Sequence, residues 1–230
     1  AAYARKKAEA FAPAADWSRA ELPEEATTLE LAEWVEKHPA NYWGLRGLAE
    51  AWLAVKQDEK ALPLLEKIVE LGAVTQERGG PLELLADVYQ RLGQEKRERE
   101  TREQVLALSS DALPSYRRLI EIATQNDEWQ NVLKYSEDVL AIQPLQPFGY
   151  QHMAVAAEEL KKPEKEIQPL RALLHMDPID PAALNYKLAR AWFESGDTKF
   201  AKRHVLRALE DAPRYRDAHR LLLEIVTDKE

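Results

Sequence analysis

The sequence predicts an all-α fold: an elongated α-solenoid of stacked antiparallel helix pairs. One stretch, residues 178–213, reads as two amphipathic helices joined by a tight turn. Its turn position recurs along the chain. Lys56, Gly93, Asp127, Lys161 and Gly196 occupy the same place in five units, at separations of 37, 34, 34 and 35 residues. Only 8 of 230 residues are Gly, as suits a helix-dense chain. A period of this length means that each pair buries its apolar face only by stacking on its neighbours.

The unit itself is built from ordinary signals. Asp180-Pro181 starts a helix, with Asp as N-cap and Pro in the first turn. Leu184, Leu188, Ala189 and Trp192 follow on one face. Gly196 can take positive φ and closes that helix. Asp197 or Thr198 caps the next one, whose stripe is Ala201, Val205, Ala208 and Leu209. Pro213 stops it. Leu188-Ala189-x-x-Trp192, Gly196-Asp197, Ala201, Ala208 and Pro213 together resemble a tetratricopeptide repeat. Asn185 replaces that pattern's first aromatic and Val205 its Phe. The resemblance implies a right-handed superhelix.

Taken in order, residues 1–22 do not fit the repeat. They read as an N-terminal extension, or a linker from an upstream region, with Trp17 covering the end of the stack. Residues 23–39 read as the second helix of a degenerate repeat, begun by Pro23, Glu24 and Glu25 and buried through Leu31, Trp34 and Val35. Full repeats follow at about 41–73, 79–110, 113–144, 147–178 and 181–213. The first has Leu45, Leu48, Ala49 and Trp52 inward on one helix, and Ala61, Leu64, Leu65, Ile68 and Val69 on the other. A longer loop at residues 74–80 precedes the second repeat, whose first helix buries Leu85, Ala86 and Tyr89. Its second helix departs from the pattern. Glu98 and Arg102 stand where apolar residues are expected, so it reads as a solvated helix laced with i,i+4 ion pairs, with Val105, Leu106 and Leu108 as its core.

The third repeat buries Tyr116, Leu119, Ile120 and Ala123, then Trp129, Val132, Val139, Leu140 and Ile142. The fourth buries Tyr150, Met153, Ala154 and Ala157, then Ile167, Leu170, Leu173, Leu174 and Met176. Residues 214–230 form a capping helix with Leu222, Leu223 and Val226 inward.

Composition excludes several functions. The formal net charge is −8, from 32 basic and 40 acidic residues, which argues against a nucleic-acid partner. No apolar run has the length of a membrane span. Zero cysteines rule out thiolate metal sites and cysteine nucleophiles. No P-loop, dinucleotide-binding or nucleophile-elbow motif occurs, and no two of the five histidines are three to five residues apart. No cofactor and no catalytic residue is expected. The histidines are read as surface or groove residues. The compartment is not fixed by the sequence, and the default is a soluble cytoplasmic protein.

The tetratricopeptide resemblance implies a non-enzymatic scaffold that binds a peptide or protein segment along a concave face lined by the first helix of each pair. Its register nominates Trp43, Arg46 and Glu50; Glu83 and Asp87; Arg117 and Glu121; Phe148 and Gln151; and Tyr186, Arg190 and Phe193. Leu53, Gln90, Thr124, Val155 and Glu158 share the same register. A carboxylate clamp of the chaperone-adaptor type is not expected, because Arg46, Glu50, Leu84, Pro114 and Arg118 stand where Lys, Asn, Asn, Lys and Arg are needed. Two further expectations complete the reading. The start at Ala1 suggests an accessory region of a larger enzyme or sensor, and an open solenoid end suggests weak self-association.

Overall fold

The structure, a computed structural model, describes residues 14–19, 26–74 and 79–227. The described residues hold twelve α-helices and no strand. The chain divides into two compact units, Ala1–Ser115 and Tyr116–Glu230. The first contains α1 (Thr28–Lys37), α2 (Tyr42–Ala54), α3 (Asp58–Glu70), α4 (Pro81–Arg91) and α5 (Glu95–Leu108). The second contains most of α6 (Leu113–Gln125), then α7 (Trp129–Ile142), α8 (Pro147–Glu159), α9 (Pro163–Leu174), α10 (Pro181–Glu194), α11 (Thr198–Asp211) and α12 (Arg216–Thr227). In the first unit consecutive helices from α1 to α5 pack on one another, in the second those from α7 to α12 do the same, and α10 also touches α12.

The turns set the register. Lys56, Gly93, Asp127, Lys161 and Gly196 all adopt left-handed backbone, with φ of 57°, 69°, 56°, 53° and 84°. In each case the next residue donates its N–H to the carbonyl five residues back: Gln57 to Trp52, Gln94 to Tyr89, Glu128 to Ala123, Lys162 to Ala157 and Asp197 to Trp192, at 2.8–2.9 Å. This is a Schellman C-cap repeated five times. It satisfies the last carbonyls of each first helix and reverses the chain in two residues. Asp180 and Asp197 cap α10 and α11, accepting from Ala183 N at 2.9 Å and Phe200 N at 3.0 Å.

In the first unit, Leu45, Leu48 and Ala49 of α2 meet Ala61, Leu65 and Ile68 of α3 and Leu85 of α4. Trp17 joins this core and stacks on Tyr42 at 4.5 Å. The second unit has one cluster around Ala154, Leu170 and Leu188, and another around Val205, Ala208 and Ile225. At Gly149 the α7–α8 approach is so close that a Cβ would stand 2.8 Å from Leu140 Cγ.

Four expectations need correction. The helix expected from residue 23 is observed from Thr28, because Thr27 and Glu30 form a reciprocal capping box that starts it there. Residues 23–25, and most of the expected N-terminal extension, lie outside the described residues. Helix α5 is not solvated along its charged stripe. Glu98 and Arg102 are 1% and 4% exposed, and Thr101 is buried beside them, whereas Leu108 is exposed. The charges occupy the apolar positions because they neutralise one another: Arg102 Nε donates to Glu98 Oε1 at 2.9 Å. Helix α12 buries Ala218, Leu221 and Ile225, leaving Leu223 and Val226 exposed. Its inward face is therefore one residue earlier than the expected Leu222–Leu223–Val226 stripe. Finally, His204 is buried, held through Nδ1 to Asn185 Oδ1 at 3.0 Å.

Candidate functional site

The nominated residues lie on the first helices of successive pairs. In the first unit these are α2 and α4. Asn41 caps α2 by accepting from Gly44 N at 2.9 Å, and its amide donates to Asp16 at 2.8 Å. Trp43 lies edge-on to Tyr42, and the Arg19 guanidinium sits 3.6 Å above the Trp43 ring. Arg46 donates to Glu50 at 2.8 Å, to Tyr42 Oη at 2.9 Å and to the Gly79 carbonyl at 3.5 Å. Glu83 accepts from Gly79 N at 2.6 Å. Arg46 and Glu83 thus hold the C-terminal end of the long loop from both sides. Asp87 accepts from Arg102 at 2.9 Å, so it faces its own pair's second helix.

In the second unit the face is formed by α6, α8 and α10. The Arg117 guanidinium lies 4.4 Å above the Phe148 ring, joining two successive first helices by a cation–π contact. His152, one turn on from Phe148, packs against it at 4.5 Å. Burial lowers the His152 pKa, with Arg117 acting in the same direction and Glu121 opposing. Glu121 itself accepts from Arg118 at 3.1 Å, and Gln151, three residues on from Phe148 in α8, is exposed.

A second cross-helix contact repeats the geometry. Glu158 on α8 accepts from Arg190 at 2.6 Å and from Lys187 at 3.0 Å, both on α10. Burial alone would raise the Glu158 pKa, but those hydrogen bonds outweigh it and the pKa is lowered. Arg190 also approaches Glu166 Oε1 at 3.5 Å. Glu166 is 1% exposed, and burial pushes its carboxyl up to about 7 against the pull of Arg190. Tyr186 packs on Tyr215 at 5.0 Å. Phe193 is half-buried against the core around Ala189 and Val205.

Sequence reasoning read His152 only as a surface or groove histidine, and it missed Lys187 and Glu166. His152 was legible from its i+4 spacing to Phe148. The other two needed the α8–α10 and α9–α10 packing. Among the described residues, no group of three or more His, Asp or Glu could hold a metal ion, and no helix is long and apolar enough to cross a membrane.

The helical fold has counterparts among known structures. YrrB, described as a TPR protein with an unusual peptide-binding site, aligns at a TM-score of 0.56 and 13% identity, over 84% of this chain and 98% of its own. The chain has the tetratricopeptide repeat fold. A MamA AMB-1 structure aligns at 0.54 with 17% identity, over 80% of this chain and 92% of its own. Another MamA structure aligns at 0.52 with 14% identity, over 75% and 92%. No protein-family model and no curated protein matches by sequence. At these identities the likeness is one of fold. In tetratricopeptide terms α2, α4, α6, α8 and α10 are the A helices, and the cross-helix contacts Arg117–Phe148 and Glu158–Arg190 join neighbouring A helices.

Proposed function

We propose that this chain is a non-enzymatic scaffold that binds a peptide or protein segment along its A-helix face. The observation that carries the reading is the contact between Arg117 on α6 and Phe148 on α8, with Gln151 exposed three residues on from Phe148. It makes side chains from successive A helices contiguous, combining a cation, an aromatic face and an amide. Those are the groups that read an extended peptide by charge, packing and hydrogen bonding. YrrB, whose fold is similar, is described as having a peptide-binding site.

The first unit supports the reading less, because Arg46 and Glu83 are engaged by Gly79 and Asp87 by Arg102. Arg190 is a poor residue to mutate, since it offsets the buried Glu166. The clean test is Arg117→Ala with Gln151→Ala. Peptides selected from a random display library are titrated against wild type and double variant. Loss of binding with unchanged thermal unfolding is expected. Undiminished binding would move the partner to another face.

A further inference from the structure

A cavity of about 620 Å³ opens between α9, α10 and α11 in the second unit. None of the A-helix face candidates lines it. Its walls carry Arg171 from α9 and Arg203 and Arg207 from α11, and no Asp or Glu. That is unexpected in a chain of net charge −8. Several arginines elsewhere pair with acids, as at Arg46, Arg91, Arg102, Arg118 and Arg190. Among the described residues, Arg171, Arg203 and Arg207 make no ion pair. Three mutually repelling cations around one concavity leave an anion site unfilled by the protein itself.

The lining also carries two aromatic rings and a buried N–H without an acceptor. Trp192 and Phe200 stack at 4.9 Å with 24° between their planes. The Trp192 Nε1–H is buried without an acceptor. Asn185 Nδ2 donates to Pro181 O at 3.1 Å, which leaves its Oδ1 to accept from His204 Nδ1. The protein thus engages His204 through Nδ1 and leaves Nε2 for a ligand. His204 shares the cavity lining with Arg171 of α9 and His175 just beyond its end, Asn185 and Trp192 of α10, and Arg203 and Arg207 on its own helix. Burial first, then Arg207, Arg203 and Arg171, hold its pKa down to about 4. A bound anion would reverse that bias and let Nε2 donate. The volume is within the range of small-ligand sites, roughly 300–1,000 Å³.

We propose that this cavity binds a phosphate monoester attached to a planar ring. The phosphate lies between the three guanidinium groups, which match its oxygens in charge and geometry. The ring rests on the Trp192–Phe200 pair.

The test is calorimetric titration of the chain with phenyl phosphate, adenosine monophosphate, a phosphotyrosine peptide and inorganic phosphate. At least one ring-bearing ester binds at least about tenfold tighter than inorganic phosphate. A preference for adenosine monophosphate identifies a free nucleotide as the source, and a preference for the peptide identifies a modified protein. Arg203→Ala with Arg207→Ala weakens binding at least about tenfold while helix content is kept, because two charge-assisted contacts are lost. Arg171→Gln gives an independent variant on a different helix. In the complex, the imidazole NMR signals of His204 titrate at higher pH than in the free chain. The proposal is overturned if no ester binds, if inorganic phosphate binds as tightly, or if the arginine variants bind unchanged.

Discussion

The Glu98–Arg102 pair gives the sharpest test of how the second repeat is held. Both side chains are within 5% of full burial, and Arg102 Nη2 also donates to Asp87 and Gln90 of α4 at 2.9 Å each. Arg102→Ala removes the cation and leaves the Glu98 carboxylate in the core. Breaking a buried pair from one side costs about 3–5 kcal/mol, against about 0–1 kcal/mol for an exposed pair. The Asp87 contact adds little, because that carboxylate is half-exposed. Replacing both partners by apolar residues of similar size, Glu98→Leu with Arg102→Met, removes the desolvation penalty together with the attraction. That double variant is expected to be as stable as wild type or more so. Guanidinium unfolding followed by far-UV circular dichroism compares both variants with the wild type. A cost for Arg102→Ala below about 1 kcal/mol would refute the reasoning and return α5 to the solvated helix that its composition suggests.

Other changes act on backbone, packing and ionisation. Gly149→Ala places a Cβ 2.8 Å from Leu140 and should cost about 1–3 kcal/mol, with Leu140→Ala partly relieving the clash in a combined variant. Lys161→Gly relaxes a left-handed residue at φ 53° and should gain up to about 1 kcal/mol in the same unfolding assay, whereas Gly196→Ala at φ 84° should lose about 1–2 kcal/mol. Glu166 has a folded pKa raised from 4.5 to about 7, so its stabilising contribution is complete below 4.5 and lost as pH rises through about 7. Glu166→Gln should flatten the unfolding midpoint across that window. His204 has the opposite sign: its pKa is lowered from 6.5 to about 4, so its contribution is present above 6.5 and lost as pH falls through about 4. His204→Gln should remove that acid-side loss.

The helix boundaries were legible wherever a local rule decides them. Asp180-Pro181, Asp197 and the five turn positions are set by capping and by positive φ, which act within a few residues. The turns were recognisable even where Lys or Asp replaces Gly, because the period located them before their conformation was known. The core stripes of α2, α3, α6 and α10 followed from helical spacing alone. The candidate face was legible as a register but not as a set of partners. Nothing in the sequence placed Gly79 between Arg46 and Glu83, or Glu158 against Arg190, since both depend on how successive pairs stack.

The two errors in helix faces have one cause. Periodicity finds an apolar stripe but cannot decide its edge when several apolar residues are contiguous, or when charges neutralise one another inside. In α12 the run from Leu221 to Leu223, with Ile225 and Val226, fits two faces that differ by one residue. Packing against α10 and α11 selects Leu221 and Ile225, with Ala218 small enough to admit close approach. In α5 the i,i+4 spacing of Glu98 and Arg102 also fits two states, a surface ion pair or a buried one. Thr101 settles the difference physically. It is buried next to the pair, and its hydroxyl donates to Arg97 O at 2.8 Å, so that stripe turns inward without an unsatisfied group. A charge at a core position of a repeat is therefore better read together with the polarity of its flanking residues than by its own type. On that criterion the α5 stripe, continued by Val105, is a core face carrying an internal counter-ion.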